Sequence, residues 1–210
     1  MAYGFLDIAV TSKVKGVQDD LGVGHLWADF KGDRAFDRFT PDEAAFIAER
    51  DSFYMATVSE TGWPYVQHRG GRPGFLKVID ETTLAFADYR GNRQYISVGN
   101  LAGDGRTALI LVDYARRARL KIYARAQVVA LDEDPALTAR TIDPAYKGRP
   151  ERLIKLTLEA FDWNCPQHIT PRFTEAEIAR ATQPLRDRVA ALESENADLR
   201  ARLSSSSGDL

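Results

Sequence analysis

The stretch DYRGNRQ, residues 88–94, follows an apolar run, TLAFA, and gathers one glycine, two arginines and two amides. Those residue types suit an anion. Gly91 permits a tight turn, and Asn92 can cap a following helix whose first amides then favour phosphate oxygens. Arg93 offers a forked, charge-assisted contact to the same group. Gln94 adds an amide for a polar ligand atom. The competing reading is an ordinary capped turn in water. A second cluster, VQHRGG at 66–71, presents Gln67, His68 and Arg69 from a strand end beside glycines that let a flat ligand approach the backbone. Arg69 stays charged across ordinary pH, which makes it the better ionic candidate. His68 can titrate or relay a proton, but no carboxylate close in sequence completes a catalytic pair.

A third stretch, FDWNCPQHITPRF at 161–173, mixes an aromatic ring with polar edges. Trp163 can stack on or cover an aromatic ligand, or simply cap a core. Asn164 and Gln167 can hydrogen-bond ligand edges, and His168 and Arg172 can face an acidic substrate or cofactor. Cys165, the single cysteine, excludes an internal disulfide framework and reads as a small buried hydrophobe. The three histidines are widely spaced and form no metal-ligand pattern, so no metal is expected. RRARLK at 116–121 is a local basic patch that suits a small phosphorylated ligand or a solvated strand entrance.

Short strands must position these groups. FYMATVS (53–59), FLKVI (75–79), TLAFA (83–87), TALILVDY (107–114), RLKIYARAQVVAL (119–131) and RLIKLTLEAFDW (152–163) carry the apolar patterns of strands. Few helices interrupt them, which favours a compact antiparallel barrel of six strands over alternating strand and helix units. FTPDEAAFIAER at 39–50 predicts a short helix: Thr40 caps it, Pro41 suits its first position and Glu43 completes a capping box. The first forty residues read as an irregular arm with short ordered pieces. TIDPAYKGRP, 141–150, reads as a loop or short helix. Near the end, Phe173, Thr174, Glu177 and Ile178 mark a second helix start close to Glu175, with Pro184 as a kink or a new start. Beyond it, Leu185, Val189, Leu192, Asn196, Leu199 and Leu203 alternate spacings of four and three, a single seam of coiled-coil type. Val189 and Asn196 in one series and leucines in the other favour a parallel pair, with Asn196 setting register. Packing on the chain's own barrel is the competing reading.

Taken together, VQHRGGRPGFLKVID, TLAFADYRGNRQYISVGN and RLKIYARAQVV resemble the FMN-binding split-barrel family related to pyridoxamine 5'-phosphate oxidase. The resemblance covers 53–129 and extends loosely into 163–172. It implies a mainly β, six-stranded antiparallel split β-barrel with peripheral helices, to which the tail adds a coiled-coil-like helix. It also implies FMN bound at a homodimer interface in composite sites. Arg69, Asn92, Arg93 and Gln94 match the family's phosphate-holding features, with Gln67 and His68 near the flavin. Lys77 matches a basic ligand-contacting position. Arg119 and Lys121 reach the cofactor from the other subunit, and Trp163 belongs to the region that closes the site. WNCPQHI departs from the vitamin enzyme's substrate pattern, which argues against carrying over vitamin B6 oxidase activity. The organisation expected is an N-terminal arm (1–38), an FMN-binding domain (39–172), a helical dimerisation extension (173–203) and a disordered tail (204–210).

Composition bounds the rest. Hydrophobic residues at 44% and charged residues at 28% suit a soluble globular chain. A formal net charge of -2 offers no overall attraction for nucleic acid. No apolar run reaches membrane-spanning length and the start lacks the pattern of a secretion signal, so a cytoplasmic location is expected. The function expected is an FMN-dependent oxidoreductase passing hydride or electrons between a small-molecule substrate and the flavin. The alternatives are a nonenzymatic FMN carrier or sensor, a haem-binding split barrel, and a cofactor-free dimerisation module.

Overall fold

The computed structural model describes residues 4–28, 36–164 and 166–206; the side chains of Asn164 and of 204–206 lie outside that range, as do Cys165 and the reading of its thiol. The chain divides into two compact units, Met1–Ile169 and Thr170–Leu210.

The first unit opens with α1 (Gly4–Ala9), α2 (Ser12–Asp20) and a single 3-10 turn at Gly24–Leu26. Phe5 anchors α1: its ring is buried and stacks on Tyr123 with centroids 4.7 Å apart. α3 (Pro41–Ala48) begins on a complete capping box, in which Thr40 N and Oγ1 both donate to Glu43 Oε2, at 2.9 and 2.7 Å. Its Phe46 and Ile47 enter the core.

Seven strands follow: β1 (Ser52–Val58), β2 (Pro64–Gly70), β3 (Lys77–Asp80), β4 (Thr83–Tyr89), β5 (Arg106–Asp113), β6 (Ala118–Val129) and β7 (Pro150–Asn164). They make one antiparallel sheet in the order β2-β1-β5-β6-β7-β4-β3. Two features differ from the six-stranded barrel expected. PYVQHRG is a full strand, pairing with β1 from Ser52↔Gly70 to Val58↔Pro64, and its polar alternation disguised it. The sheet is also open: among the described residues no ladder joins β2 to β3, the two edges. Both edges resist extension, because β2 starts on a proline without a donor and β3 spans four residues broken by a register shift at Val78/Asp80. The fold is mixed rather than mainly β, since α4 (Ile96–Gly103), α5 (Pro135–Thr141) and the early helices surround the sheet.

Alternation assigns the faces. Phe53 and Met55 of β1, Leu109 and Leu111 of β5, and Leu120 and Ile122 of β6 enter the main core with Phe86, Ile154, Leu156 and Phe161. Fully burying such a side chain is worth about 1.5–3 kcal/mol. β4 is buried on both faces, which explains its unbroken apolar run, because α5 packs Leu137 over Ala85 and Ala87 on the side away from the main core. The 71–76 connection turns at Gly74 (φ 76°), where a Cβ would meet Ala48 O at 3.0 Å, so only glycine fits.

The second unit holds α6 (Glu175–Ser206), one uninterrupted helix of 32 residues that contains Pro184. Thr174 and Glu177 form its capping box, with Glu177 N donating to Thr174 Oγ1 at 3.2 Å and Thr174 N to Glu177 Oε2 at 2.7 Å. The helix includes 204–206, and residues 207–210 lie outside the described range. No helix among the described residues is long and apolar enough to cross a membrane.

Candidate functional site

The sequence clusters at 66–71 and 88–94 meet. β2 and β4 are far apart in sheet order, yet a cleft of about 220 Å³ between them is lined by Tyr65, Gln67, Arg69, Asp88, Asn92, Arg93, Gln94 and the start of α4. The alternation of β2 explains the first contribution. Tyr65, Gln67 and Arg69 share the half-buried face, while Val66 and His68 lie on the opposite, exposed face. Tyr65 Oη donates to Gln67 Oε1 at 2.6 Å and fixes the amide.

The 91–95 corner is built differently from the sequence reading. Asn92 does not cap α4. Its Oδ1 accepts from Gln94 N at 3.1 Å in a local turn, and its Nδ2 donates to Gln94 Oε1 at 3.1 Å. The connection runs three residues longer than expected, so α4 starts on Tyr95 instead. Gly91 is not the strained position either; Arg93 (φ 63°) and Tyr95 (φ 52°) take the left-handed conformations, which cost non-glycine residues free energy. No side chain caps α4, although Ile96, Ser97 and Val98, which carry its first-turn amides, line the cleft. The helix is itself well anchored: Ser97 and Leu101 are buried, and Asn100 Nδ2 donates to Thr57 Oγ1 at 3.0 Å.

Beneath the corner lies a network that sequence reading missed. Asp88, buried at the end of β4, accepts from Arg69 Nη1 at 2.7 Å and forms a looser ion pair with Arg152, whose Nε lies 3.5 Å away without a hydrogen bond. Arg152 also pairs with Glu151 at 2.9 Å and lies over the Tyr95 ring at 4.8 Å. Glu151 accepts from Arg90 Nε at 2.6 Å and from Tyr95 Oη at 3.1 Å. The Arg90 hydrogen bond holds the Glu151 carboxyl below the usual carboxylate range against its desolvation, with Tyr95 and Arg152 adding to the effect. Burial pushes the neighbouring Tyr89 phenol up. The signal for this network was a carboxylate, Asp88, ending an otherwise apolar strand; its partners follow only from the Asp88↔Arg152 register of β4 and β7.

Four guanidinium groups (Arg69, Arg90, Arg93, Arg152) thus surround two carboxylates (Asp88, Glu151), and the corner is net positive. Among the described residues no carboxylate pairs with Arg93, and Arg69 Nε is buried without a hydrogen-bond partner. Uncapped amides, an uncommitted cation and an under-satisfied arginine in one cleft are the donor set of an anion site.

The other sequence candidates sit elsewhere. Lys77 lines a separate small cavity with Phe75, Tyr89, Asp143 and Tyr146. Trp163 packs edge-on to Phe46 at 4.8 Å, and its Nε1 donates to the buried Glu43 Oε1 at 2.8 Å, so it braces α3. Lys121 pairs with Asp162 at 2.6 Å, and Arg119 alternates with it onto the same face of β6. With His68, these two occupy the opposite face of the sheet from the cleft. Tyr54, Val66, Ile110 and Tyr123 make that face apolar, and the first two are well exposed. His168 takes a left-handed turn (φ 61°) at the end of the first unit, and Arg172 belongs to the second. Among the described residues no cluster of histidine, cysteine and carboxylate side chains could hold a metal.

A family model described as pyridoxamine 5'-phosphate oxidase matches residues 39–161. No curated protein matches the chain. Among solved structures, a candidate pyridoxamine 5'-phosphate oxidase from Lactobacillus delbrueckii is 19% identical, with 60% of this chain and 94% of that one covered and a TM-score of 0.47. HupZ of Group A Streptococcus is 15% identical over 64% of this chain and 99% of that one, TM-score 0.45. General Stress Protein 26 of Bacillus anthracis is 13% identical over 63% and 95%, TM-score 0.44. Identities this low speak to fold alone, and TM-scores under 0.5 add no weight to a functional reading.

Proposed function

The chain belongs to the pyridoxamine 5'-phosphate oxidase family, whose model matches more than half of it, and on that premise we propose that it is an FMN-dependent oxidoreductase acting on a small molecule. The observation that carries this reading is the uncapped start of α4, set in a net-positive cleft beside the unpaired Arg93. When bound, FMN supplies the redox chemistry, passing hydride or electrons between a small-molecule donor and the flavin.

The chain's own residues bind and orient. Arg93 and the first-turn amides of Ile96, Ser97 and Val98 hold the phosphate, Arg93 through a forked contact and the amides through the helix dipole. Arg69 lends the buried Nε that lacks a partner. Asp88 is a positioning residue, since it holds Arg69 in the cleft through the 2.7 Å ion pair and pairs with Arg152 as well. Gln67, steadied by Tyr65, presents its amide to polar atoms of the ligand.

One chain supplies only part of the enclosure. At about 220 Å³ the cleft is smaller than the roughly 300–1,000 Å³ of pockets that bury a drug-sized ligand. A second copy completes it in this reading. The apolar face of β1, β2, β5 and β6 packs in a homodimer, and His68, Arg119 and Lys121 on that face approach the cofactor held by the other subunit.

Anaerobic absorption titration of the FMN-loaded protein with reduced nicotinamides and other donors tests the proposal. The expected result is bleaching of the flavin bands by a donor, return of colour with oxygen, and product formed beyond one turnover. A flavin that binds but that no donor reduces would make this a carrier or sensor. A haem spectrum, or no affinity for FMN at all, would overturn the cofactor assignment.

A further inference from the structure

We infer that α6 pairs with α6 of a second copy of this chain as a parallel, in-register two-stranded coil, and that the charges flanking its seam select that orientation. The inference is independent of the flavin reading. α6 is one continuous helix, and along it Leu185, Val189, Leu192, Leu199 and Leu203 are each 45 to 69% exposed. They form one stripe, interrupted only by Asn196. β-branched Val189 in one seven-residue series, with leucines in the other, is the pattern of two parallel strands. Thr182 to Leu203 spans about 33 Å at 1.5 Å per residue, enough for three heptads.

The flanks name the occupant. On one side of the stripe stand Arg188, Glu195 and Arg202; on the other, Arg186, Glu193 and Arg200. In a parallel pair in register, a residue on the first flank meets the one five positions further along its mate. Arg188 then faces the partner's Glu193, and Glu195 faces the partner's Arg200. By symmetry each contact occurs twice, and every one is attractive. The same arrangement places the two Asn196 amides together, where they can hydrogen-bond each other.

The antiparallel pairing of full overlap reverses all of this. Asn196 would pack on the partner's Leu192. Arg188 would face the partner's Arg202, Arg186 the partner's Arg200, and Glu193 and Glu195 their own copies. Each contact joins like charges. The sequence of α6 is therefore complementary to itself in one orientation and repelled by itself in the other. A helix this short is marginal as an isolated pair, so pairing draws on the high local concentration that any contact between the first units provides.

Disulfide trapping in the full-length chain, in a Cys165→Ser background, tests the inference. Mild oxidation of Leu203→Cys should bridge two chains through position 203. When Leu203→Cys and Leu185→Cys chains are mixed, bridges should form like with like (203 to 203, 185 to 185). Glu193→Arg/Glu195→Arg should reduce trapping at 203 about tenfold, because four weak attractive pairs become repulsive. Arg188→Glu/Arg200→Glu should do the same. Mixing those two charge variants should restore trapping between unlike chains, an outcome that a nonspecific apolar contact would not give. Bridges from 203 to 185, no bridging at either position, or trapping indifferent to the charge variants would each overturn the inference. FMN affinity, measured on the same samples, reports the flavin site separately.

Discussion

Two of the helix starts in the first unit, those of α3 and α4, treat their amides in opposite ways. α3 is closed. Thr40 and Glu43 satisfy its first turn reciprocally, Glu43 is buried, and Trp163 locks the carboxylate from the far end of β7. α4 is open. It begins on a left-handed tyrosine, no side chain among the described residues caps it, and its first turn borders a cleft lined by Arg69 and Arg93. Both helices are anchored to the core, α3 by Phe46 and Ile47 and α4 by Ser97 and Leu101, so packing does not explain the difference. A capping box costs a chain two suitable residues, and this chain uses that device at α3 and again at α6, where Thr174 and Glu177 repeat it. An α4 without a side-chain cap, beside left-handed residues and a cation with no carboxylate partner among the described residues, is the arrangement the proposed anion site uses.

The contrast can be broken from either side. The largest effect should come from beneath the open start. Asp88→Ala leaves Arg69 and Arg152 facing each other without their shared carboxylate, and urea unfolding should show a loss of about 3 kcal/mol, the low end for a broken buried pair because both arginines keep some water. Next, Arg93→Ala should weaken FMN binding by about 2 kcal/mol, close to thirtyfold, through one charge-assisted contact. Its melting temperature without cofactor should not fall, since Arg93 has no carboxylate partner among the described residues and its left-handed conformation is unchanged. At the closed start the pattern inverts: Thr40→Ala should cost about 1 kcal/mol of stability and leave FMN affinity alone. The smallest effect is acid sensitivity. The folded-state pKa of Glu151 is lowered, chiefly by Arg90, so its contribution is fully present above the ordinary carboxylate pKa of 4.5 and disappears as pH falls through the folded value. Thermal melts across pH 3 to 6 should show a shallower acid limb in Glu151→Gln than in the parent chain.

How much of this could be read beforehand depended on range. The capping boxes at Thr40 and Thr174 and the α6 stripe are local patterns of three, four or seven residues, and they were legible. Arg69, Asn92, Arg93 and Gln94 were legible as residue types, and the family resemblance tied them to one group. Their meeting in one cleft followed from that resemblance and not from the residues themselves, because it depends on β1 pairing with β2 and β4 with β7, contacts that bring together positions up to 74 residues apart, as in Thr83↔Thr157. The same dependence hid Arg152, Glu151 and Tyr95. It also misplaced the helix cap, since nothing local shows that the chain needs Tyr95 in a left-handed turn before α4 can dock through Asn100 onto Thr57. Trp163 looked like a ligand cover because its partner, Glu43, lies 120 positions earlier. The strand PYVQHRG escaped the count because an edge strand that lines a polar cleft lacks the apolar alternation of a buried one.

The central claim is that the open start of α4, with Arg93, holds a phosphate. Binding of FMN and of riboflavin, which lacks only that phosphate, measured side by side in the parent chain and in Arg93→Ala, tests it most directly. The account predicts that the parent prefers FMN by about ten- to a hundredfold, and that Arg93→Ala erodes this preference while leaving riboflavin affinity unchanged. Equal affinity for the two ligands in the parent, or a preference that survives intact in Arg93→Ala, would contradict it.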